Sequence, residues 1–304
     1  MRVLVTGGAG FIGSHVAELL LAGGHEVAVV DDLSRGRRKN VPGGAAFYDL
    51  DVRSGSREVF EEFAPEAVCH QAAQVSVRRS VAEPVLDLEI NTAGTLQLLE
   101  NCVRHDVGSF VFASTGGAIY GEQREFPASE DHPEYPISPY GISKLAAERY
   151  LRFYEAHYGL PYVALRYANV YGPRQDPHGE AGVVAIFASR LASGETCTIN
   201  GTGEQTRDYV YVEEVARANV LALEGGPSGA YNVGTGIETS VNELYETMAH
   251  LSGGALPAEH GPAKPGEQFR SAVDPAKAER VRSWRPGLRL REGLEKTLGY
   301  FGAL

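Results

Sequence analysis

A glycine-rich segment near the start of the chain is the feature that most limits how this sequence can fold. The segment Thr6-Gly7-Gly8-Ala9-Gly10-Phe11-Ile12-Gly13 follows a short apolar run and opens a stretch with helical spacing. Its glycines fit both G-x-G-x-x-G and G-x-x-G-x-x-G, patterns in which glycine allows a tight turn and a close approach of the backbone to a pyrophosphate. The free amides at the N-terminus of the following helix then face the phosphates. The sequence therefore predicts a dinucleotide site that includes Gly7, Gly10, Phe11, Ile12 and Gly13.

Two acidic residues, Asp31 and Asp32, end the second predicted strand about 20 residues after the glycines, as expected in a dinucleotide-binding unit. An acidic side chain at this point accepts hydrogen bonds from both ribose hydroxyls and repels a 2′-phosphate. The pattern therefore favours NAD over NADP as the cofactor. Asp51 and Val52, after the third predicted strand, are further candidates for the cofactor site, although a helix-capping role for Asp51 is nearly as compatible with the sequence.

The first half of the chain alternates short apolar runs with longer amphipathic stretches. The predicted strands are Val3–Thr6, Glu26–Val30, Ala46–Asp49, Ala67–His70, Ser109–Ala113 and Pro161–Arg166. The predicted helices between them are Ile12–Ala22, Val85–His105 and Pro139–Tyr158. Because the strands are apolar almost throughout, we expect them to be parallel and buried on both faces. The alternation predicts an α/β fold: a Rossmann doubly wound parallel sheet with a smaller C-terminal α/β substrate-binding lobe.

The character of the sequence changes near residue 168, where we place the division between domains. Residues 1–168 are predicted to form the NAD-binding domain, joined by a returning segment at about 205–235, and residues 169–304 the lobe interleaved with it. The second half predicts a helix over Val183–Ala192, a strand over Thr196–Asn200 and a closing helix over Leu290–Phe301. Leu256–Gln268 is predicted to be a loop rich in glycine and proline.

A second pattern predicts the reacting groups. Ser138 and Pro139 suit the N-cap and the first position of a helix, so Tyr140 and Lys144 lie one turn apart on the same face. A tyrosine, whose ordinary pKa is about 10, acts as a base near neutrality only when that pKa is lowered. A lysine one turn away and the positive nicotinamide ring both stabilise the phenolate. We therefore predict Tyr140 and Lys144 as catalytic residues that also contact the cofactor.

The ends of two further strands complete the predicted site. Ser114 and Thr115 place hydroxyls after the fifth strand, and a hydroxyl beside the tyrosine and the reacting oxygen completes a proton-transfer trio. A simple Ser/Thr turn is the alternative interpretation. After the fourth strand, small residues suit a backbone that passes close to the cofactor, which makes Ala72 and Gln74 candidates. His70, in the same segment, is interpreted as a hydrogen-bonded core histidine.

Composition excludes several classes of function. The formal net charge of −11 argues against binding to nucleic acid or to an anionic membrane, because an acidic surface does not neutralise phosphates. The three cysteines, Cys69, Cys102 and Cys197, lack the spacing of metal ligands, so we expect no metal site and free thiols in a reducing compartment. No apolar run approaches the length of about 18 residues needed to span a bilayer. The expected location is cytoplasmic.

The chain resembles the extended short-chain dehydrogenase/reductase family and, within its NAD-dependent epimerase/dehydratase group, the UDP-glucose 4-epimerases. The matching motifs follow the family's order along nearly the whole chain: Thr6–His15, Ser114–Gly121, Tyr140–Lys144, Leu165–Pro173, Arg207–Val210 and Lys264–Glu267. The resemblance implies a UDP-sugar substrate and a homodimer paired through Val85–His105 and Pro139–Tyr158. Tyr140 would remove the proton of the sugar 4-hydroxyl while hydride leaves C4. The 4-keto sugar would then rotate and receive the same hydride on its opposite face, so NAD would be retained.

The resemblance also implies roles for the remaining site residues. Lys144 would hold the nicotinamide ribose, and Thr115, with Ser114 as second choice, would be the hydroxyl of the trio. Asn91 and Tyr167 would support the cofactor. The UDP-sugar would be bound by Thr115, Tyr140, Asn169, Arg207, Tyr209, Lys264 and Glu267.

Departures from related patterns narrow the implied reaction. Dehydratases and decarboxylases of this group carry carboxylates just after the threonine, where this chain has Gly116 and Gly117, so simple 4-epimerisation of UDP-glucose and UDP-galactose is favoured. Ser271 aligns with the position beside the C2 substituent of the sugar, and its small size keeps UDP-N-acetylglucosamine as an alternative. UDP-glucuronate is a third, with Arg174 as a cation for its carboxylate. Lys264 replaces the usual arginine, keeping the charge without the bidentate geometry. A non-catalytic NAD-sensing protein is disfavoured because the reacting pair is present.

Overall fold

The computed structural model describes residues 1–54, 56–178, 182–254, 257–263 and 268–304. Its strands are β1 (Arg2–Thr6), β2 (Glu26–Asp31), β3 (Ala46–Asp49), β4 (Ala67–His70), β5 (Ser109–Thr115), β6 (Tyr162–Tyr167), β7 (Asn169–Tyr171), β8 (Thr198–Asn200), β9 (Thr206–Tyr211), β10 (Gly229–Val233), β11 (Glu238–Ser240), β12 (Glu259–Gly261) and β13 (Arg270–Ser271). Its helices are α1 (Phe11–Ala22), α2 (Arg57–Phe63), α3 (Val77–Ala82), α4 (Pro84–Leu88), α5 (Gly94–Arg104), α6 (Gly116–Ile119), α7 (Pro139–Tyr158), α8 (Val183–Ser193), α9 (Val212–Leu223), α10 (Val241–Leu251), α11 (Ala276–Arg282) and α12 (Leu290–Phe301).

A seven-stranded parallel sheet forms the larger part of the molecule, in the order β3-β2-β1-β4-β5-β6-β10. Its central strands are buried almost throughout, as the apolar runs of the sequence predict. The prediction of a Rossmann doubly wound sheet is therefore confirmed. The strand order reverses between β1 and β4, so the segments that leave these strands diverge and open a crevice at their carboxyl ends.

The helix that carries the predicted reacting groups, α7, spans the range predicted from the sequence. Ser138 caps it, because its hydroxyl accepts a hydrogen bond from the Gly141 amide at 3.2 Å, and Pro139 takes the first helical position. The helix ends at Gly159, whose φ of 71° lies in the left-handed region that glycine adopts without strain.

The helix predicted over Val85–His105 is interrupted in the structure. A π-helical turn at Glu89–Ala93 separates α4 from α5. Such a turn inserts an extra residue into the helical repeat and is frequent at functional sites. As a result Asp87 and Asn91 are both buried, whereas Val85 and Leu88 on the same segment are exposed. Sequence periodicity does not reveal an insertion of this kind.

Elements of the second half return to the main sheet. β10 pairs with β6 at its edge, and α9 packs against α1. The predicted helices α8 and α12 are confirmed, whereas the predicted loop over Leu256–Gln268 contains β12, which pairs with β8. The short β12 escapes prediction because it has only three residues and is largely exposed.

A smaller sheet lies in the second half with β9 at its centre, paired with β7, β11 and β13. Helices α8, α10 and α12 cover it with a separate apolar core that includes Phe187, Leu244, Met248 and Leu298. None of the helices in the described ranges has the combination of length and apolar character that crossing a bilayer requires.

A buried ion pair joins α7 to the main sheet. The Arg166 guanidinium on β6 donates to both carboxylate oxygens of Glu148 on α7, at 3.0 Å from Nε and 2.6 Å from Nη2. Ser114 on β5 donates to the same carboxylate at 2.5 Å. Arg166 also donates to the Tyr120 hydroxyl at 3.1 Å, which in turn donates to Asn232 on β10 at 2.7 Å. These five residues, here called the Arg166 network, fix α7 against three neighbouring strands.

Replacing Glu148 with Gln places an amide NH₂ against the buried Arg166 guanidinium. Breaking a buried pair costs several kcal/mol, but Glu134 still contacts Arg166 and limits the loss. We therefore expect the free energy of unfolding to fall by about 3 kcal/mol. Glu61→Gln is the matched control, because Glu61 forms an exposed pair with Arg57 and such pairs contribute at most about 1 kcal/mol. Urea unfolding followed by circular dichroism measures both variants. Equal losses would contradict a special role for the buried pair.

Candidate active site

The glycine turn between β1 and α1 is packed too tightly for larger residues. A Cβ atom on Gly7, whose φ is +67°, would lie 2.6 Å from the Ala72 amide nitrogen, and one on Gly13 would lie 2.2 Å from the Gly7 carbonyl oxygen. Gly10 is the N-cap of α1 and forms no side-chain capping hydrogen bond. The backbone amides in the first turn of α1, at the positive end of the helix dipole, are therefore available to bind an anion such as the diphosphate of a dinucleotide.

The two predicted acidic residues differ in their surroundings. Asp31 is buried, and its carboxylate accepts hydrogen bonds from the Ala9 amide at 3.0 Å and the Leu33 amide at 2.9 Å. Burial raises the pKa of Asp31. Asp32 is exposed and accepts hydrogen bonds from the Ser34 amide and hydroxyl. Asp31 thus also orders the glycine turn, a structural role that the spacing pattern does not reveal.

Asp51 follows β3 and directly precedes a 3₁₀ turn over Val52–Ser54. The Asp51 carboxylate accepts from the Arg53 amide at 2.8 Å and pairs with the Arg53 guanidinium, whose hydrogen bonds lower the pKa of Asp51. Val52 is buried and packs near Gly94. The Asp51 side chain therefore acts as a cap in this structure, the alternative that the sequence left open, and its contact with a cofactor stays a prediction.

The segment after β4 is held by buried polar groups. His70 Nδ1 lies 2.6 Å from the Thr6 hydroxyl, and its Nε2 lies 3.0 Å from the Thr95 hydroxyl, which donates to the Asn91 carbonyl at 2.7 Å. Because the Thr95 proton is committed to that carbonyl, we assign the ring proton to His70 Nε2. Burial lowers the pKa of His70 to about 3. His70 is therefore a neutral core histidine, as the sequence analysis interprets it.

Gln74 and Asn91 are bound to each other. The Asn91 side chain accepts from the Gln74 amide at 2.8 Å and donates to the Gln74 carbonyl at 2.9 Å. The Gln74 side chain in turn bonds to the Ser76 backbone and to the Asp87 carboxylate. Both predicted residues shape the loop that passes Gly7 at Ala72. Asp87 was not predicted, because a charged residue in an amphipathic helix is usually interpreted as a surface group.

The predicted reacting groups meet at the carboxyl end of β5. The Thr115 side chain lies close enough to the Tyr140 hydroxyl to lower its pKa, and Thr115 Oγ1 accepts a hydrogen bond from the Ala118 amide at 3.2 Å. Lys144 Nζ donates to the Ala113 carbonyl at 2.9 Å, its sole hydrogen bond within the described part of the chain, and lies 4.7 Å from the centre of the Phe112 ring. At least one Lys144 N–H is thus left for another acceptor.

Burial shifts the pKa values of Tyr140 and Lys144 in opposite directions. Burial raises the pKa of Tyr140, and Asp87 raises it further, whereas the Thr115 side chain lowers it. Burial lowers the pKa of Lys144 to about 8, against the opposing influence of Asp87 and Glu148. Without a bound cation, the protein therefore holds Tyr140 protonated.

The two predicted hydroxyls point to different partners. Ser114 donates to Glu148 within the Arg166 network, away from the reacting pair, whereas Thr115 meets Tyr140. Consecutive residues of a strand face opposite sides, which explains the separation. Of the two, Thr115 is the residue placed to take part in proton transfer.

Tyr167 is buried in a polar cluster behind the crevice. Its hydroxyl lies 2.8 Å from Asn219 Nδ2 and 3.2 Å from Gln71 Oε1, and Gln71 donates to Asn219 Oδ1 at 2.8 Å. Asn219 lies on α9 and was not predicted, since no motif marks it. The cluster links the segment that returns from the second half to the loop after β4.

The small sheet brings together several residues predicted to bind substrate. Asn169 on β7 pairs in register with Tyr209 on β9, and Arg207 on β9 pairs with Ser271 on β13. The Tyr209 side chain is buried and packs edge-to-face on Tyr171, so it belongs to the core of this sheet. Lys264 and Glu267 lie outside the described residues.

The two glycines after Thr115 have different environments. A Cβ atom on Gly116 would lie 2.6 Å from Val273 Cγ1, so a carboxylate side chain does not fit there without rearrangement. A Cβ atom on Gly117 would have the Ser271 hydroxyl, at 3.9 Å, as its nearest neighbour. Such a distance is an ordinary van der Waals contact, so two small residues, Gly117 and Ser271, face each other in this part of the site.

Arg174 lies against α1. Its guanidinium donates to the Ser14 hydroxyl at 3.0 Å and to Glu18 at 2.6 Å. It is therefore occupied on the cofactor side of the molecule and is not placed to meet a carboxylate beside the sugar. No cluster of potential metal ligands occurs within the described residues.

Comparison with known proteins agrees with this architecture. A model of the NAD dependent epimerase/dehydratase family matches residues 3–234. A UDP-glucose 4-epimerase from Thermus thermophilus in complex with NAD is 51% identical, with a TM-score of 0.94 and coverage of 99% of both chains. A UDP-glucose 4-epimerase from Thermotoga maritima with UDP-glucose is 48% identical, with a TM-score of 0.97 and coverage of 99% of this chain and 98% of that one. The UDP-glucose 4-epimerase of Mycolicibacterium smegmatis is 45% identical over 99% of this chain and 98% of its own length.

The buried Lys144 leads to a prediction about stability. Its folded-state pKa of about 8 lies below its ordinary value of 10.5, so between these pH values the unfolded chain binds a proton that the folded protein lacks. Stability therefore rises with pH in this window. Relative to Lys144→Met, we expect the unfolding free energy of the cofactor-free protein to rise by up to about 1.4 kcal/mol per pH unit between about pH 8.5 and 10. Urea unfolding at stepped pH measures this, with the exposed Lys39→Met as control; parallel curves for wild type and Lys144→Met would refute it.

Proposed function

This chain belongs to the NAD-dependent epimerase/dehydratase family, and from that membership we propose that it is an NAD-dependent 4-epimerase of UDP-hexoses, acting on UDP-glucose and UDP-galactose. The observation that carries the proposal is the position of Thr115 beside Tyr140, whose pKa it lowers, with Lys144 one turn along α7 and the glycine turn across the same crevice. Proton transfer and cofactor binding thus converge at one place.

The residues around the crevice fit NAD. The first turn of α1 would receive its diphosphate, and Asp31 and Asp32 would face the adenosine ribose. Asp51, Val52, Ala72, Gln74, Asn91 and Tyr167 would complete the cofactor site. When bound, NAD supplies an acceptor for hydride from C4 of the sugar and returns that hydride.

The chain's own groups carry the proton. Tyr140 would take the proton of the sugar 4-hydroxyl, and Thr115, which lies beside Tyr140, would hold the reacting oxygen. Lys144 would stabilise the phenolate and donate a free N–H to the nicotinamide ribose. After rotation of the 4-keto sugar, Tyr140 would return the proton. Asn169, Arg207, Tyr209, Lys264 and Glu267 would hold the nucleotide diphosphate and uridine.

The surroundings of Thr115 favour simple epimerisation over dehydration or decarboxylation. Those reactions need a further acid or base near the sugar, whereas the next two positions are Gly116 and Gly117, and Val273 fills the space at the first of them. The small size of Gly117 and Ser271 supports UDP-N-acetylglucosamine as a second substrate. UDP-glucuronate is less well supported, since Arg174 is engaged by α1.

Assembly and location follow from further observations. The exposed apolar side chains Val81, Val85 and Leu88 lie beside α7, which exposes Ile142 and Phe153, and this surface supports a homodimer paired through these helices. The buried free thiols support a reducing, cytoplasmic location. We also propose the division into an NAD-binding domain of residues 1–168 with the returning segment and a substrate lobe.

The proposed activity is tested by proton NMR of purified protein given UDP-glucose or UDP-N-acetylglucosamine in separate tubes, without added cofactor. The galacto-epimer should appear, and the relative rates rank the two sugars. Tyr140→Phe should lower kcat by roughly 10²–10⁴-fold because the proton acceptor is lost, while the protein keeps its NAD. Tyr135→Phe, at a side chain that is 77% exposed, should behave as wild type.

Absence of any epimer, even after NAD is supplied, would exclude the hexose reaction. A Tyr140→Phe variant with unchanged turnover would exclude tyrosine as the base. If wild type binds NAD but turns over no UDP-sugar, a sensing function becomes the better explanation.

The dimer is tested separately. Val85→Glu places a charge on the proposed interface and should convert the protein to a monomer in sedimentation equilibrium, because an unpaired charge is disfavoured in a buried apolar contact. Ile237→Glu is the matched control, since its side chain is similarly exposed but lies in the second half of the chain. A monomeric wild type, or a Val85→Glu variant that remains dimeric, would contradict this interface.

A further inference from the structure

Asp87 is a buried charged residue to which the proposed function assigns no role. It lies on α4 just before the π-helical turn, and its side chain is 1% exposed. Its neighbours Val85 and Leu88 face solvent, so the segment directs this one carboxylate inward. Burying a charge costs several kcal/mol unless it is fully hydrogen bonded or balanced by an opposite charge.

Donors from three elements meet this carboxylate. Gln74, in the loop after β4, donates to Oδ1 at 2.8 Å, and Asn91, in the π-helical turn, donates to the same oxygen at 3.1 Å. Ser143 on α7 lies 2.6 Å from Oδ2 through its hydroxyl. The cofactor-side loop and the helix of the reacting pair are thus bonded to a single side chain.

A carboxylate satisfies this donor set with its two oxygens. Both amide side chains present NH₂ groups to Oδ1, and these groups are oriented by their own bonds to Ser76 and to the Gln74 backbone. An asparagine at position 87 would keep one acceptor oxygen for the two amides, but it would replace the charged oxygen beside Ser143 with an uncharged NH₂ group. The Ser143 proton would then have the Tyr140 carbonyl, at 3.0 Å, as its acceptor. An apolar residue would leave the Gln74 and Asn91 donors unsatisfied, at about 1–3 kcal/mol each.

The charge of Asp87 also acts on the reacting pair. Among the described residues, Glu148 of α7 is the other charged group that acts on Lys144. His70 of β4 is neutral, and β5 places the Ala113 carbonyl and the Phe112 ring against the ammonium. Asp87 raises the pKa of Lys144 against the effect of burial, and it raises the pKa of Tyr140 in the same direction as burial. One carboxylate therefore affects both groups.

We propose that Asp87 is a positioning residue for the 4-epimerisation: its carboxylate holds the loop after β4 and the first turns of α7 in a fixed arrangement, and its charge balances that of Lys144. This inference rests on the proposed function. It assigns no contact between Asp87 and the substrate or the cofactor.

Asp87→Asn tests the proposal with little change in side-chain volume. In the NAD-loaded enzyme, kcat should fall about 10- to 100-fold through misplacement of Tyr140. KM should change little, because Asn169, Arg207 and Tyr209, the described residues proposed to hold the nucleotide, lie on the small sheet. Loss of the negative charge lowers the pKa values of Tyr140 and Lys144 together, so both limbs of the pH profile of kcat should move to lower pH. Asp131→Asn, at an exposed carboxylate, should match wild type.

Ser143→Ala is the second variant, because it removes the 2.6 Å contact and keeps the charge. It should lower kcat without moving the pH limbs. A third readout is independent of turnover: in cofactor-free Asp87→Asn, the rise of unfolding free energy with pH should begin at a lower pH than in wild type, because the pKa of Lys144 falls.

A wild-type kcat and pH profile in Asp87→Asn would overturn the proposal, and so would a lower kcat with unmoved limbs and an unchanged unfolding profile. If Asp87→Asn does not fold, a wild-type kcat in Ser143→Ala overturns the positioning role. If wild type itself turns over no UDP-sugar, the proposed function fails, and the unfolding profile still decides whether Asp87 balances Lys144.

Discussion

The bidentate pair between Arg166 and Glu148 is the interaction on which the placement of the reacting groups depends. Glu148 lies one turn beyond Lys144 on α7, and Arg166 lies on β6, next to the strand that ends at Thr115. A shift of α7 along the sheet that moved Tyr140 away from Thr115 would also break the pair between Arg166 and Glu148. Because a buried unpaired charge costs several kcal/mol, the pair sets the alignment of helix and strand that keeps Thr115 beside Tyr140.

The same helix carries a buried cation, and its surroundings explain why it is tolerated. Lys144 lies beside the Ala113 carbonyl and over the Phe112 ring, which favour the charged ammonium, while burial opposes it. Asp87 and Glu148 add negative charge from two sides. The outcome is an intermediate pKa, so Lys144 can remain charged near neutrality while keeping an N–H for a ligand.

Sequence patterns were sufficient for the parts of this site that depend on local geometry. The glycine turn, the capped start of α7 and the position of Thr115 are consequences of spacing along one strand or one helix, and they lie where predicted. Asp87 and Asn219 were missed because their roles arise from long-range contacts, and the π-helical turn that buries Asp87 leaves no periodic signature. The resemblance ranked Thr115 before Ser114 as the partner of Tyr140, and the structure supplies the physical reason, since the two residues face opposite sides of β5. Lys264 and Glu267 remain predictions.

The charge distribution has a consequence for the order of events under the proposed function. Burial and Asp87 both oppose ionisation of Tyr140. Among the described residues that shift its pKa, Thr115 alone favours ionisation. The protein by itself therefore keeps the base protonated. Removal of the sugar proton then needs positive charge beside Tyr140, which Lys144 and a nicotinamide ring bound at the crevice would supply together. A site arranged in this way makes proton removal depend on the presence of the hydride acceptor, so that a sugar oxygen is not deprotonated before its C4 hydride has a destination.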